Sequence, residues 1–493
     1  RRRSRWLRKR RGPCLPNTKR RRECAASASA FQALPSSRFE GAVRPTSADA
    51  GPNSYELLLA ADDGSLLLRA NLVKEMGAGR VFGGTPLAGP PEVQDFGEGW
   101  LNEGSTVTTG NNIDAYSDVD GNNQPDDFGL PGLVGGRASA EDQSFNFNHG
   151  DGRDAGPDTV AGAVTNAFYH ANLAHDFFYE LGFRELEGNF QTANFDRGGE
   201  GDDAVLVEVH DGATRNNANF RVRPDGLTPR LQLGLWTVDR PQVRDFALDA
   251  TAIMHEYVHG VTSRTLGGPD DISCLNQLQS DALSEGWSDY FGASFYDAPI
   301  FGDYITDDRQ NGVRRAAIDR NPRTYLDFGN PRFQQHANGE IWASTLWDIR
   351  AALGAEVADR LIFQALLITP CDPTYVEARD AILTMDAGAN EAALWAAFAA
   401  RGLGFAASAF NSRNAATTTF NANFDQPPDL VPGNRSPQVT SVPSDRAFFG
   451  EAYSYPVRSV DADGDERSYE MVAGPPGMTV NAQTGEVTWE SPT

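Results

Sequence analysis

Met254-His255-Glu256-Tyr257-Val258-His259-Gly260 carries the pattern H-E-x-x-H, and its setting decides how the chain is read. Residues 246–254 contain neither Gly nor Pro and have the apolar content of a buried helix running into the motif; Gly267-Gly268-Pro269 then supplies a stop. Residues four apart stack on one helical face, so His255 and His259 can offer two imidazoles to one cation, with Glu256 beside them. Zinc takes nitrogen, sulfur and carboxylate donors in a near-tetrahedral shell, and catalytic sites leave the fourth position to water. The ion lowers the pKa of that water from 15.7 to about 7, and a carboxylate placed like Glu256 can take the proton during attack on a polarised carbonyl. A His pair on a helix can also be a solvated face, so the zinc reading needs a third ligand further along the chain.

Downstream lies Ser280-Asp281-Ala282-Leu283-Ser284-Glu285-Gly286-Trp287-Ser288-Asp289-Tyr290, a second helical stretch with Glu285 and Asp289 four apart. Glu285 can complete a shell of two His and one Glu. Asp289 is then the natural acceptor for a ligating imidazole N–H, which fixes tautomer and ring orientation. The bland alternative makes both surface carboxylates; Trp287 and Tyr290 beside them argue for a packed helix.

His255-Glu256-Tyr257-Val258-His259-Gly260 followed by Ser284-Glu285-Gly286-Trp287-Ser288-Asp289 resembles the fungalysin family of secreted zinc metallopeptidases, thermolysin-like in fold. The resemblance extends over about residues 55–410. Asn166-Ala167-Phe168-Tyr169-His170-Ala171-Asn172 resembles the family's long helix ahead of the site. Asn216-Asn217-Ala218-Asn219-Phe220 resembles the edge strand that pairs with an extended substrate, which implies substrate-binding roles for Asn217 and Ala218; an Asn-rich turn is the competing reading. Gln335-His336-Ala337-Asn338-Gly339-Glu340 resembles the segment that carries a His at the mouth of the site, ahead of a helix. The resemblance therefore implies His336 as a donor to the developing oxyanion, a contact whose loss costs on the order of a hundredfold in rate. Thermolysin's Tyr shortly after the zinc helix has no counterpart between Gly260 and Asp270, and what replaces it is open.

Composition agrees with such an enzyme. The net charge of −24 hides a split: residues 1–24 hold twelve of the 43 basic residues and one of the 67 acids, leaving 31 bases against 66 acids, or −35, in the rest. So acidic a body lacks the clustered cations that nucleic acid requires. Residues 1–50 read as a disordered basic segment or a wrongly translated start, without the apolar core of a signal peptide, and no run is long enough to span a membrane. Cys274 and Cys371 lie in the catalytic region; one disulfide in an oxidising compartment and two buried free thiols are both open.

The fold class expected is α+β: a strand-rich N-terminal lobe and a helical C-terminal lobe with the site at their junction, followed by a small, truncated β-sandwich. Residues 51–72 read as a hairpin resembling the end of an inhibitory propeptide, 73–425 as the catalytic domain, and 426–437 as a linker, with linker composition already starting at Phe420 and running to Ser436. Residues 438–493 read as a partial Ig-like or cadherin-like module with strands near 438–442, 453–457, 468–472, 478–480 and 486–489. Helices are expected at 341–353, 356–369, 375–385 and 390–401. Asp118, Asp120 and Asp126 cluster oxygens in a turn that is not an EF-hand, and calcium or a solvated acidic loop both fit; the same choice applies to Asp461–Asp465. Protein or peptide substrates, secretion, zinc and an intramolecular propeptide inhibitor follow from the resemblance. An aminopeptidase sharing the motif, and an adhesion protein with an inert peptidase domain, are the rival functions.

Overall fold

The computed structural model describes the backbone strands Arg38–Val43, Tyr55–Ala60 and Leu66–Asn71, and residues 77–490 apart from 151–154, 239–241, 330–333, 431–436, 442, 444–446, 448 and 462–465. The basic segment 1–24, the turn of the expected hairpin and most of the Asp461–Asp465 turn lie outside these residues. Residues 1–75 form one unit, in which the three strands make an antiparallel sheet with Tyr55–Ala60 at its centre. Residues 76–493 form the other.

Within that second unit a four-stranded sheet precedes most of the helices. Its order is Ala218–Arg221, Arg230–Leu233, Val205–Val209, Ile113–Ser117, antiparallel at the first pair and parallel at the other two. Val205, Val207 and Val209 and the paired Leu231 and Leu233 are buried, as the alternation of the sequence requires. Ala218–Arg221 is the edge, with one side of its backbone unpaired within the sheet. Asn216, at φ +54°, makes the turn before it, so the Asn-rich stretch is a turn followed by an edge strand.

The helices are α1 (Val160–Leu181), α2 (Ala250–Thr265), α3 (Leu278–Tyr296), α4 (Asp303–Thr306), α5 (Gln335–Leu353), α6 (Ala355–Leu366), α7 (Tyr375–Asp386) and α8 (Glu391–Ala400). α2 carries the H-E-x-x-H motif and is buried on nearly every face, which explains a sequence with no clean polar stripe. It begins later than residue 246: a 3-10 turn, Phe246–Leu248, comes first, and Asp249 then caps α2 by accepting from the N–H groups of Thr251 and Ala252 at 3.1 and 3.3 Å. At its other end Arg264 is buried; it pairs with Asp203 at 2.6 Å and donates to the carbonyls of Gly188 and Pro224 at 2.9 and 3.0 Å. These bonds tie the end of α2 to the loops of the strand-rich part. α1 packs behind it, where Asn166 accepts from Phe82 N–H at 2.9 Å and donates to Ala247 at 2.8 Å.

Three sequence expectations need correction. α5 starts at Gln335 rather than 341, with Asn338 and Gly339 inside the helix; His336 is therefore in its first turn and not ahead of it. Phe420 belongs to the strand Thr419–Asn421, paired with Ser408–Phe410, and packs on Tyr325 and Phe328 at ring separations of 5.1 and 5.3 Å, so the linker cannot begin there. Residues 468–472 form no strand: Tyr469 makes one backbone bond, to Ala482 at 2.9 Å, and its hydroxyl meets Ser459 Oγ at 2.8 Å. The C-terminal strands that do form are Gln438–Val439 with Ser459–Val460, and a sheet ordered Tyr453–Pro456, Glu486–Trp489, Met478–Val480.

Candidate active site

The site assembles where α2, α3 and α5 meet the edge strand. Gly260 lets that strand approach: a Cβ there would fall 2.5 Å from the Phe220 ring. Gly286 and Gly339 do the same for α3 against α5, since a Cβ on Gly286 would lie 2.7 Å from Gly339 O and one on Gly339 2.6 Å from Glu285 Cβ. A cleft of about 710 Å³ results, lined by Asn217, Ala218 and Phe220 on one side, His336 and Glu340 on another, and Trp236, Phe246, Phe301 and Val313 as an apolar end. Its floor is His255, Glu256, His259 and Glu285.

The two imidazole Nε2 atoms are 3.2 Å apart, and Glu285 places Oε2 3.6 Å from His255 Nε2 and Oε1 3.7 Å from His259 Nε2. Metal–donor bonds of about 2.0–2.1 Å in a tetrahedral shell separate donors by roughly 3.3–3.4 Å, so this triangle fits zinc. Partner groups orient the rings. His255 Nδ1 lies 3.0 Å from Asp289 Oδ1 and His259 Nδ1 meets Ser284 Oγ at 3.0 Å, so both rings turn Nε2 towards Glu285. Arg314 grips both Asp289 oxygens at 2.7 Å and reaches Glu285 Oε2 at 3.3 Å. It lies over Phe301, whose ring stacks on His255 at 4.6 Å. His336 Nε2 is 3.4 Å from Glu285 Oε1, its side chain about half exposed at the mouth.

Burial and charge set the protonation states of the free chain. Burial pushes the Glu256 carboxyl up to about 7 and holds the His259 imidazole down at about 4. Burial also opposes ionisation of Asp289 and Glu285, but Arg314 and His255 outweigh it for Asp289, and His259 and His255 for Glu285, so both stay below the usual carboxylate range. Burial opposes a charge on His255 as well, but the hydrogen bond and charge of Asp289, with Glu256 and Glu285, outweigh it and raise this imidazole above its ordinary value, so a cation bound here would displace a proton from His255.

Every site residue expected from the sequence except the calcium and disulfide candidates lies at this cleft or on its partner groups. Cys274 and Cys371 are joined by a disulfide, S–S 2.08 Å, away from the floor. Asp118, Asp120 and Asp126 converge in a separate loop. Sequence reasoning missed Arg314 and Phe301, which arrive on loops without periodicity, and Ser284. For Ser284 a signal existed, because Ser284-Glu285 repeats four residues on as Ser288-Asp289.

A helix with two imidazoles facing a carboxylate at the floor of an open cleft has the makings of a metal centre open to a ligand from outside. Residues 87–407 match the model of the fungalysin metallopeptidase (M36) family, and the chain belongs to that family. It is 34% identical over 372 residues to the extracellular metalloproteinase MEP of Pyricularia oryzae, covering 67% of this chain and 56% of the relative. Extracellular metalloproteinase 5 of Trichophyton rubrum is 32% identical over 347 residues, covering 62% and 53% respectively. The chain spans about half the length of the curated relatives it matches. No helix among the described residues is long and apolar enough to cross a membrane.

Proposed function

We propose that this chain is a secreted zinc-dependent endopeptidase of thermolysin-like, two-lobed architecture. The observation that carries the reading is the donor set of His255, His259 and Glu285, with the two Nε2 atoms 3.2 Å apart, Glu285 Oε2 3.6 Å from the first and Oε1 3.7 Å from the second. Zinc bound there supplies a Lewis acid for the scissile carbonyl and acidifies water. Glu256, on the cleft floor and not among the three donors, takes the proton of the attacking water and returns it to the leaving amine. His336 donates from the mouth of the site to the oxyanion. The free edge of Ala218–Arg221 holds the peptide extended, with Asn217 and Ala218 lining the cleft beside it.

An aminopeptidase needs a spare carboxylate for the substrate's amine. The cleft's lining acids are Glu256, Glu285 and Glu340, and Glu340 is already engaged by Arg315 N–H at 3.3 Å and Asn321 Nδ2 at 3.1 Å. The cleft chemistry therefore favours internal bonds. We read residues 51–72 as the end of a propeptide that inhibits the enzyme in its precursor, and 438–493 as an accessory Ig-like module.

Glu256→Gln tests the assignment: hydrolysis of a peptide blocked at both ends should vanish while zinc stays near one per chain. Parallel loss of zinc and activity would overturn the division of roles between base and ligands.

A further inference from the structure

The turn after strand Ile113–Ser117 brings together Asp118, Asp120 and Asp126, each offering an oxygen within 4.8 Å of the others. Asp118 is fully buried and Asp126 only 3% exposed, whereas Asp120 stands at the surface. The loop's own donors satisfy part of this charge. Asp118 accepts from Asn122 N–H at 3.0 Å and Asn123 N–H at 2.9 Å, Asp120 accepts from Asn122 N–H at 3.1 Å and Asn122 Nδ2 at 2.8 Å, and Asp126 Oδ2 accepts from Val119 N–H at 3.1 Å. The remaining Asp126 oxygen, Oδ1, is buried with no hydrogen-bond partner. An orphaned carboxylate oxygen shut away from water is among the costliest arrangements a fold can hold, and a cation relieves it directly.

Among the described residues no cation of the protein relieves it. Arg230, the guanidinium that touches the loop at Asn123 O (3.1 Å), is held by Glu208 and by the Tyr116 hydroxyl at 3.2 Å. Glu208 and Asp211 add further negative potential; burial first, and these two acids after it, push the Asp118 carboxyl up to about 6.

We propose that Asp118, Asp120 and Asp126 bind one calcium ion. The donors are all oxygen, which a hard cation selects over zinc, and the mixture of buried and exposed carboxylates on a turn suits calcium's six to eight ligands at flexible geometry better than magnesium's strict octahedron. The ion would brace the sheet that carries the cleft's edge. Asp118 N–H donates to Val209 O at 3.0 Å, Gly212 N–H donates to Asp118 O at 2.9 Å, and Gln232 joins Asp211 to the strand next to the edge at 3.0 Å. Its role is structural and independent of the peptidase reaction.

The test uses the full chain carrying Glu256→Gln, zinc-loaded so that self-digestion does not intrude, titrated with calcium chloride alone. Binding is read by calorimetry, by calcium content after gel filtration, and by the melting temperature. A dissociation constant on the order of 10⁻⁴–10⁻³ M is expected, as in extracellular modules, with a melting temperature that rises with calcium and much less with magnesium. Asp126→Asn should remove one calcium equivalent or weaken its binding by at least about tenfold. Should that variant fold poorly, Asp120→Ala, at an exposed position, must still weaken binding about tenfold. No calcium uptake by the parent chain, or uptake unchanged in a folded variant, overturns the proposal.

Discussion

Replacing Gly339 by Ala tests whether the contact between α3 and α5 sets the geometry of the site. The added Cβ would lie 2.6 Å from Glu285 Cβ, 2.8 Å from Ala282 O and 3.0 Å from Gly286 N. None of these atoms is the far end of a flexible side chain, so the helices themselves must part. Reaching an ordinary carbon contact of about 3.5 Å requires roughly 0.9 Å of separation. Overpacking a tight contact costs about 1–3 kcal/mol, and Ala in place of a mid-helix Gly returns about 1 kcal/mol. The net loss of about 0–2 kcal/mol corresponds to a few degrees in melting temperature at most for a domain of this size. Activity should suffer more. His336 sits three residues earlier on α5, 3.4 Å from Glu285 Oε1, and a misplacement near 1 Å costs on the order of a hundredfold in rate. The expected result is kcat down by about 10–100-fold on a quenched peptide blocked at both ends, with zinc near one per chain and only a small shift in melting. A folded Gly339→Ala protein with kcat within twofold of the parent would refute the claim that this crossing positions His336.

Asp289→Asn should weaken zinc about 10–100-fold in a chelator competition, because it removes the carboxylate on His255 Nδ1 and leaves Arg314 with Glu285 alone; unchanged affinity would show that Asp289 does not tune the ligand. Removing the disulfide through Cys274→Ser with Cys371→Ser opens a 97-residue span, which should cost about 4.7 kcal/mol on chain-entropy grounds; melting temperatures of the two proteins, equal within a degree, would contradict it. Asp249, capping α2, is raised by burial to about 6, so the native state keeps its proton between pH 4 and 6 while the unfolded chain, near its ordinary value, releases it. Stability should therefore fall as pH rises through that window, by up to about 3 kcal/mol, with the cost fully present above pH 6. Asp249→Asn, another good cap, should lack that slope when unfolding is compared in the inactive Glu256→Gln background; identical slopes would dismiss the assignment.

The proposed metal ligands and the acid beside them were legible because helical periodicity is local: His255 and His259, and then Glu285 and Asp289, are each four apart, and a four-residue step fixes which face they share. Arg314 and Phe301 carried no such signal. They reach the site on irregular backbone between α3 and α5, so only the tertiary fold brings the guanidinium onto Asp289 and the ring under His255. The edge strand was half legible, since Asn216 and Ala218–Arg221 obey different rules, turn and ladder, within a few residues.

The start of α5 was misplaced for a more instructive reason. Gly339 comes directly after Asn338, and in a single sequence that pair reads as a helix boundary. In the fold it lies where the backbones of α3 and α5 pass close together, as does Gly286 against Gly339, while Gly260 makes room for the rings of Phe220 and Phe190. At each of these positions the low helix propensity of Gly is offset by the burial it permits, because any side chain would push apart the elements that hold the donors. The glycines that weaken the helical reading are thus the ones that let α2, α3, α5 and the edge strand converge. A site read only from its ligands omits the contacts that decide whether those ligands meet.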